Sequence, residues 1–212
     1  MLTRLRRKLV HIWEVLMKRM KRMKRMSQQY FHVDRAQSLQ LGQVISLNRA
    51  KINNGASNAP DPALQAHFDK QFPAGVSRHG ESYFLKAFWA VDATNNRHEI
   101  VFEYVRQAAF PQRPSRFTSF FVSKSLGDAR AFGDKYRSHD ANDNGLPYTI
   151  WEVEGEEVFT ADMELISQHQ ANNFAVSYVA HQYWSGATIM PNPEWETFLK
   201  LPVRVVRLVE RR

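Results

Sequence analysis

The chain opens on a helical stripe. Leu2, Leu5, Leu9, Ile12, Leu16, Met20 and Met23 recur at spacings of three and four, the period of one α-helical face. Trp13 and Met17 widen the stripe, Arg and Lys fill most other positions, and no Pro or Gly precedes Ser27. The pattern predicts one long amphipathic helix. From Tyr30 the pattern changes. Tyr30–Val33 is apolar except for His32, and Leu39–Ile45 places Gly42 in a turn before a short extended run. Residues 30–47 therefore predict strand, loop, strand. Residues 51–61, with Asn53, Asn54, Gly55, Asn58 and Pro60, are loop by composition.

Asp61-Pro62 supplies an N-cap and a first helical turn, and Leu64, His67, Phe68 and Phe72 share the face that follows. Helices are predicted again over Ser82–Ala90 and Arg97–Ala108, until Pro111 and Pro114 end the block. Phe117–Ser123 predicts a strand. Ser125 or Gly127-Asp128 caps a helix to about Tyr136, and His139–Gly145 is a polar loop. Tyr148–Glu154 reads as a strand, Ala161–Gln170 and Phe174–Trp184 as helices, and Gly186–Pro193 as loop. Thr197–Leu199 and Val203–Val209 read as two closing strands. Strands mixed with helices in this way predict an α+β fold.

Charge separates the chain into two parts. Residues 1–26 hold ten Lys/Arg and one acid, Glu14, whereas the rest of the 212-residue chain is within one charge of neutral. The expected organisation is a basic amphipathic arm over 1–29 and a domain over 30–212 with a helical insertion at about 60–110. The arm is too charged to span a membrane. It suits packing on its own domain or on a partner protein such as an antitoxin, or else nucleic-acid phosphates, and less well an anionic membrane surface. The chain has no cysteine, which excludes disulfides and a thiol nucleophile and makes a reducing cytoplasm its natural compartment. Dinucleotide-binding and phosphate-loop glycine patterns, His-Glu-x-x-His and Gly-x-Ser-x-Gly are all absent, which disfavours a Rossmann or P-loop nucleotide enzyme, a metalloprotease and an α/β-hydrolase. The histidines are scattered without metal-ligand spacing, and no resident metal is expected.

Several stretches, in order, carry a likeness. Tyr30-Phe31-His32 is followed by Leu41-Gly42-Gln43-Val44-Ile45. Phe120-Phe121-Val122-Ser123 runs into Leu126-Gly127-Asp128-Ala129. Tyr148-Thr149-Ile150-Trp151-Glu152-Val153-Glu154-Gly155 and Pro202-Val203-Arg204-Val205-Val206 come later, with Tyr183-Trp184-x-Gly186 between them. Together these resemble the ADP-ribosyltransferase superfamily, in particular the rifampin-modifying enzymes and uncharacterised bacterial relatives. The likeness covers residues 30–47 and 116–209 and leaves the helical block unmatched.

The resemblance implies a split mixed β-sheet core and the transfer of ADP-ribose from NAD, as co-substrate, to a macromolecular acceptor with release of nicotinamide. It suggests a toxin or anti-phage defence effector acting on nucleic acid or protein. By the same resemblance His32 would hydrogen-bond the ribose. Phe121 falls where a nicotinamide-stacking tyrosine is placed, and Ser119 would be the serine of the Arg-Ser-Glu-type enzymes. Arg35, Arg113 and Arg116 are candidates for the pyrophosphate, and Tyr183 for the cofactor pocket. The acid is Glu196, within Glu194-x-Glu196, or else Asp162. A carboxylate at the ribose 2′-hydroxyl fits the chemistry, because positive charge develops on the sugar as the neutral nicotinamide leaves. A second reading keeps the fold but not the activity: Phe121 in place of tyrosine points to a degenerate site, with the arm as the binding element.

Overall fold

The computed structural model describes residues 28–52, 60–85, 93–139, 147–167, 172–189 and 191–212. The expected arm helix, most of the 51–61 loop, the helix beyond Leu85, the 140–146 loop and residues 168–170 lie outside the described residues.

The frame is a five-stranded sheet with helices, an α+β architecture. All the strand pairs of the described residues are antiparallel, so the sheet is not the mixed one expected. Strands β1 (Tyr30–Asp34) and β2 (Val44–Ile45) are followed by helices α1 (Pro62–Gln71), α2 (Arg78–Gly80, continuing as a π-type turn to Leu85) and α3 (Ala93–Ala109). A 3₁₀ turn, Arg116–Thr118, leads into β3 (Ser119–Val122) and α4 (Leu126–His139). The chain ends with β4 (Thr149–Asp162), α5 (Glu164–Ser167), α6 (Asn173–Ser185) and β5 (Trp195–Arg211). Asp61 caps α1 as expected, its Oδ1 accepting from the N–H groups of Ala63 and Leu64 at 3.0 and 3.1 Å. Ser125, rather than Gly127-Asp128, caps α4 by accepting from Asp128 N at 3.0 Å.

The long strands β4 and β5 pair from Thr149↔Arg211 to Asp162↔Trp195. β1 lies on the outer side of β4 between Tyr30↔Val153 and Asp34↔Thr149. The far side of β5 is shared by β3, from Ser119↔Lys200 to Val122↔Thr197, and by β2, at Val44↔Arg204 and Ile45↔Val203. β1 and β3 meet at one point, where Phe31 and Ser123 exchange backbone hydrogen bonds of 2.9 and 2.8 Å. The sheet thereby closes around Tyr30, Val122, Trp151, Val153, Leu199 and Val203. Helices α3 and α6 cover the opposite face through Phe102, Val179, Tyr183 and Trp184, which pack on Phe159 and Phe198. Trp184 is fully buried and donates its Nε1–H to the Phe102 carbonyl at 2.7 Å, so no polar atom of the indole is orphaned.

Three expected boundaries are corrected. β4 runs on to Asp162, because Phe159 and Ala161 face the helical core while Glu154 and Glu156 stay exposed; the alternation continues through an acidic stretch. The helix expected from Ala161 begins only at Glu164, since Ala161 and Asp162 are still paired with Glu196 and Trp195. The two closing strands are one. Pro202 interrupts the sequence pattern but not the strand, as it sits at the irregularity between the Glu154↔Arg204 and Glu156↔Lys200 pairs, where its missing N–H is not needed. On α1, Phe68 and Phe72 are buried as expected, while Leu64 is exposed.

Candidate functional site

The 3₁₀ turn before β3 is capped by Ser115, whose Oγ accepts from Phe117 N at 3.1 Å. The turn directs Arg116 inward, under α3 and α6, where only 4% of the residue is exposed. Its Nε and Nη2 donate to the two oxygens of Glu99 on α3 at 2.8 and 3.0 Å, a bidentate fork. Its Nη1 donates to Glu196 Oε1 at the start of β5 and to the Tyr183 hydroxyl on α6. Tyr183 in turn donates to Glu196 Oε1 at 2.6 Å. The Phe121 ring lies 4.6 Å from the guanidinium carbon, and His79 Nε2 stands 3.0 Å from Glu99 Oε1.

The charges in this cluster hold one another in place. Burial pushes the Glu99 carboxyl up, but Arg116 and His79 outweigh burial and hold it at about 2. Burial works against charge on Arg116 too, and Glu196 and Glu99 together keep it protonated. Burial and the neighbouring Glu196 raise the Tyr183 phenol against the pull of Arg116, so it stays a donor. Both donors to Glu196 meet the same oxygen. Its Oε2 accepts no hydrogen bond from a described residue. A second polar layer lies behind: Glu103 takes Arg106 at 2.7 and 3.0 Å and the Ser115 hydroxyl at 2.9 Å.

A family model described as a protein of unknown function, DUF2441, matches residues 30–211, from the first residue of β1 to the last of β5. The chain belongs to the DUF2441 family. A comparison with curated proteins finds no match. The family match includes the helical block that the ADP-ribosyltransferase likeness leaves uncovered, and this block supplies Glu99 and His79.

Of the candidates named from sequence, the DUF2441 fold gathers Glu196, Arg116, Tyr183 and Phe121 into one cluster. It places the others elsewhere. His32 is on the Phe120 side of β3, its ring 4.3 Å from that ring, while Phe121 projects to the Glu196 side. Its Nδ1 lies 2.8 Å from the Phe121 carbonyl, which only accepts, so Nδ1 carries the proton and Nε2 is the acceptor. Burial lowers its pKa despite that bond, leaving a neutral ring where β1 and β3 diverge. Ser119 donates its hydroxyl to Ser115 O at 2.7 Å. Arg35 is exposed, 6.0 Å from the Tyr136 ring centre. Asp162 is 1% exposed; its Oδ1 accepts from the N–H groups of Glu164 and Glu194 at 3.1 and 3.0 Å, and its Oδ2 from the Thr188 hydroxyl. Glu194 precedes β5 and turns to Lys135 at 2.7 Å, away from the Glu196 cluster.

Sequence reading missed Glu99 and His79. The available signal was the pair Glu99 and Glu103, one helical turn apart and flanking the apolar Phe102 of α3, two acids on a buried face that need a buried cation. Among the described residues no group of three or more His, Asp or Glu is disposed to hold a metal ion, and no helix is long and apolar enough to cross a membrane.

A cleft of about 610 Å³ opens elsewhere in the DUF2441 domain, beside the outer edge of β4. Gln28, Tyr30, Arg113, Lys124, Glu157 and Thr160 line it. Glu157 accepts from Lys124 at 2.7 Å, from the Tyr30 hydroxyl at 3.0 Å and from Thr160 at 3.3 Å. Lys124 and these hydroxyls outweigh burial and lower its pKa. Of the pyrophosphate candidates named from sequence, Arg113 is the one that lines this cleft, together with Tyr30 and Gly186 of the quoted motifs.

Proposed function

We propose that the DUF2441 domain is an NAD-dependent ADP-ribosyltransferase that uses Glu196 as its acid. The reading is carried by one observation. Glu196 has one oxygen fixed by Arg116 and Tyr183, and its other oxygen accepts nothing from the described residues. A carboxylate held this way can take a ribose 2′-hydroxyl without reorganising as charge builds on the sugar. The ordered likeness of β1, β3 and β5 to the superfamily supports it further. In this scheme the C1′–nicotinamide bond breaks, nicotinamide leaves with the bonding pair, and an acceptor nucleophile forms the new bond to C1′. His32 offers Nε2 to the ribose at the β1–β3 divergence. Asp162 is set aside as the acid because it is 1% exposed, with no open flank left beside its three donors. The acceptor is a macromolecule, protein or nucleic acid, in keeping with a toxin or defence effector.

Purified protein incubated with labelled NAD and lysate, then separated into protein and nucleic-acid fractions, tests the proposal. Glu196→Gln should lower label transfer and nicotinamide release by roughly 10²-fold or more, the scale of losing a positioned transition-state contact. Folded wild-type protein that releases no nicotinamide and transfers no label overturns it.

The second reading is a degenerate binding protein of the same fold, favoured by a specific observation. The Ser119 hydroxyl is spent on Ser115 O, and the Arg116 guanidinium is spent on Glu99, Glu196 and Tyr183. It predicts that removing residues 1–26 abolishes cellular activity while Glu196→Gln leaves it intact.

A further inference from the structure

Beyond Val153 the outer edge of β4 has no strand partner among the described residues, and the cleft lies along it. Two cations line the cleft, Arg113 and Lys124. Arg113 is held by three contacts: its Nε–H donates to Trp184 O at 3.1 Å, its guanidinium lies 4.5 Å from the Phe159 ring centre, and its carbonyl accepts from Arg106 at 3.0 Å. Its two terminal nitrogens make no hydrogen bond to a described residue. A guanidinium fixed at one edge with its fork open matches the geometry of a phosphate oxygen pair. Lys124, 41% exposed at its side chain, also lines the cleft. Beside it the Glu157 carboxylate, oriented by three donors, is a hydroxyl acceptor of the kind that reads a sugar. The volume suits one nucleotide and is too small for a duplex.

The chain supplies a second argument. Gln28, in the cleft wall, follows by two residues the segment 1–26 with its ten Lys/Arg and single acid. A polyanion attracted by that segment is brought to the cleft by covalent connection alone. We propose that the β4-edge cleft is a single-stranded nucleic-acid site, which holds one phosphate between Arg113 and Lys124 with its sugar against Glu157. This is independent of whether the domain transfers ADP-ribose, because none of these residues belongs to the Glu196 cluster.

Full-length protein is titrated into fluorescent single-stranded oligoribonucleotides and oligodeoxyribonucleotides of one sequence, the two arms reading which sugar is accepted, with polyglutamate as a polyanion control. Both Arg113→Gln/Lys124→Gln and Lys124→Gln alone are measured, and the latter touches only an exposed side chain. The double variant should lose roughly tenfold or more in affinity for a strand, and its log–log salt slope should fall by about 0.7, the share of one single-strand phosphate contact. Lys124→Gln should give an intermediate loss. The assignment is overturned if Lys124→Gln and the folded double variant bind as wild type does, if polyglutamate competes as well as a strand, or if a free mononucleotide competes as tightly as the oligonucleotide.

Discussion

Arg116→Met removes the only arginine of the buried cluster and keeps most of its volume. It leaves Glu99 and Glu196, 5% and 7% exposed, facing each other across the vacated cation. Breaking a buried ion pair by deleting one partner costs about 3–5 kcal/mol, because the remaining charge has neither water nor counter-charge. The native geometry gives the same scale: holding Glu99 at about 2 instead of its ordinary 4.5 corresponds to about 3 kcal/mol. For a domain of this size that lowers the melting temperature by roughly 6–20 °C. The pH dependence follows. In the native protein the Glu99 carboxyl is depressed, so its contribution is complete above about 4.5 and is lost as pH falls towards about 2. In the variant His79 alone opposes burial, the Glu99 pKa rises from its depressed native position, and protonation relieves the penalty on acidification. The difference between the two proteins should be largest at pH 7 and shrink towards pH 3. Urea unfolding followed by tryptophan fluorescence at pH 7, 5 and 3.5 measures it. The triple variant Glu99→Gln/Arg116→Met/Glu196→Gln, which has no stranded charge, should be more stable than Arg116→Met alone. A single variant within 1 kcal/mol of wild type at pH 7, or a triple variant less stable than the single, refutes the reasoning.

Gly75→Ala should cost about 3 kcal/mol in urea unfolding, since φ there is +92° and a Cβ would stand 2.3 Å from the Asn48 carbonyl oxygen. Asp61→Ala should cost about 1 kcal/mol through the lost cap of α1, and Asp61→Asn much less; equal losses would show that the cap is not the cause. Asp162→Ala strands two N–H groups and a hydroxyl and should destabilise by about 2–4 kcal/mol in the same assay, yet leave NAD turnover per folded molecule unchanged. The lowered His32 pKa means that the unfolded chain binds that proton first, so stability should decline as pH falls below about 6.5; an imidazole NMR titration with a midpoint above that value contradicts the burial argument.

Sequence periodicity located most elements because each has a face that must be dry. Phe174–Trp184 and Tyr148–Glu154 show that face within a few residues, and Asp61-Pro62 marks a helix start by local chemistry. The misplaced boundaries lie where register, not composition, decides. β4 continues through Glu154, Gly155, Glu156 and Glu157 because β5 remains beside it, and no local pattern in those residues announces a strand. The candidate site was legible in part for a related reason. Glu196, Phe121 and Arg116 were identifiable as residues in or beside strands and Tyr183 from its motif on α6, but Glu99 and His79 come from the helical block, well away in sequence from the strand motifs. Their partnership with Arg116 exists only once α3 lies over β3 and β5.

The alternation of β3 explains why the candidates divide as they do. Ser119 and Phe121 point to the helix-covered face, and Phe120 and Val122 to the closed face. Glu196 and Phe198 share the first face, whereas His32 meets the second and reaches across only through the Phe121 carbonyl. A ligand touching both His32 and Glu196 must therefore pass the edge of β3 where β1 has diverged from it, beyond the single Phe31–Ser123 bridge. That edge is next to His32 and Phe121, and strand pairing seals it nowhere else among the described residues. The Arg116 network gives this arrangement its cost and its use. Apolar groups of similar volume would fill the same space at least as stably. What they cannot supply is a carboxylate fixed through one oxygen beside a strand edge, and that is the property the proposed chemistry requires.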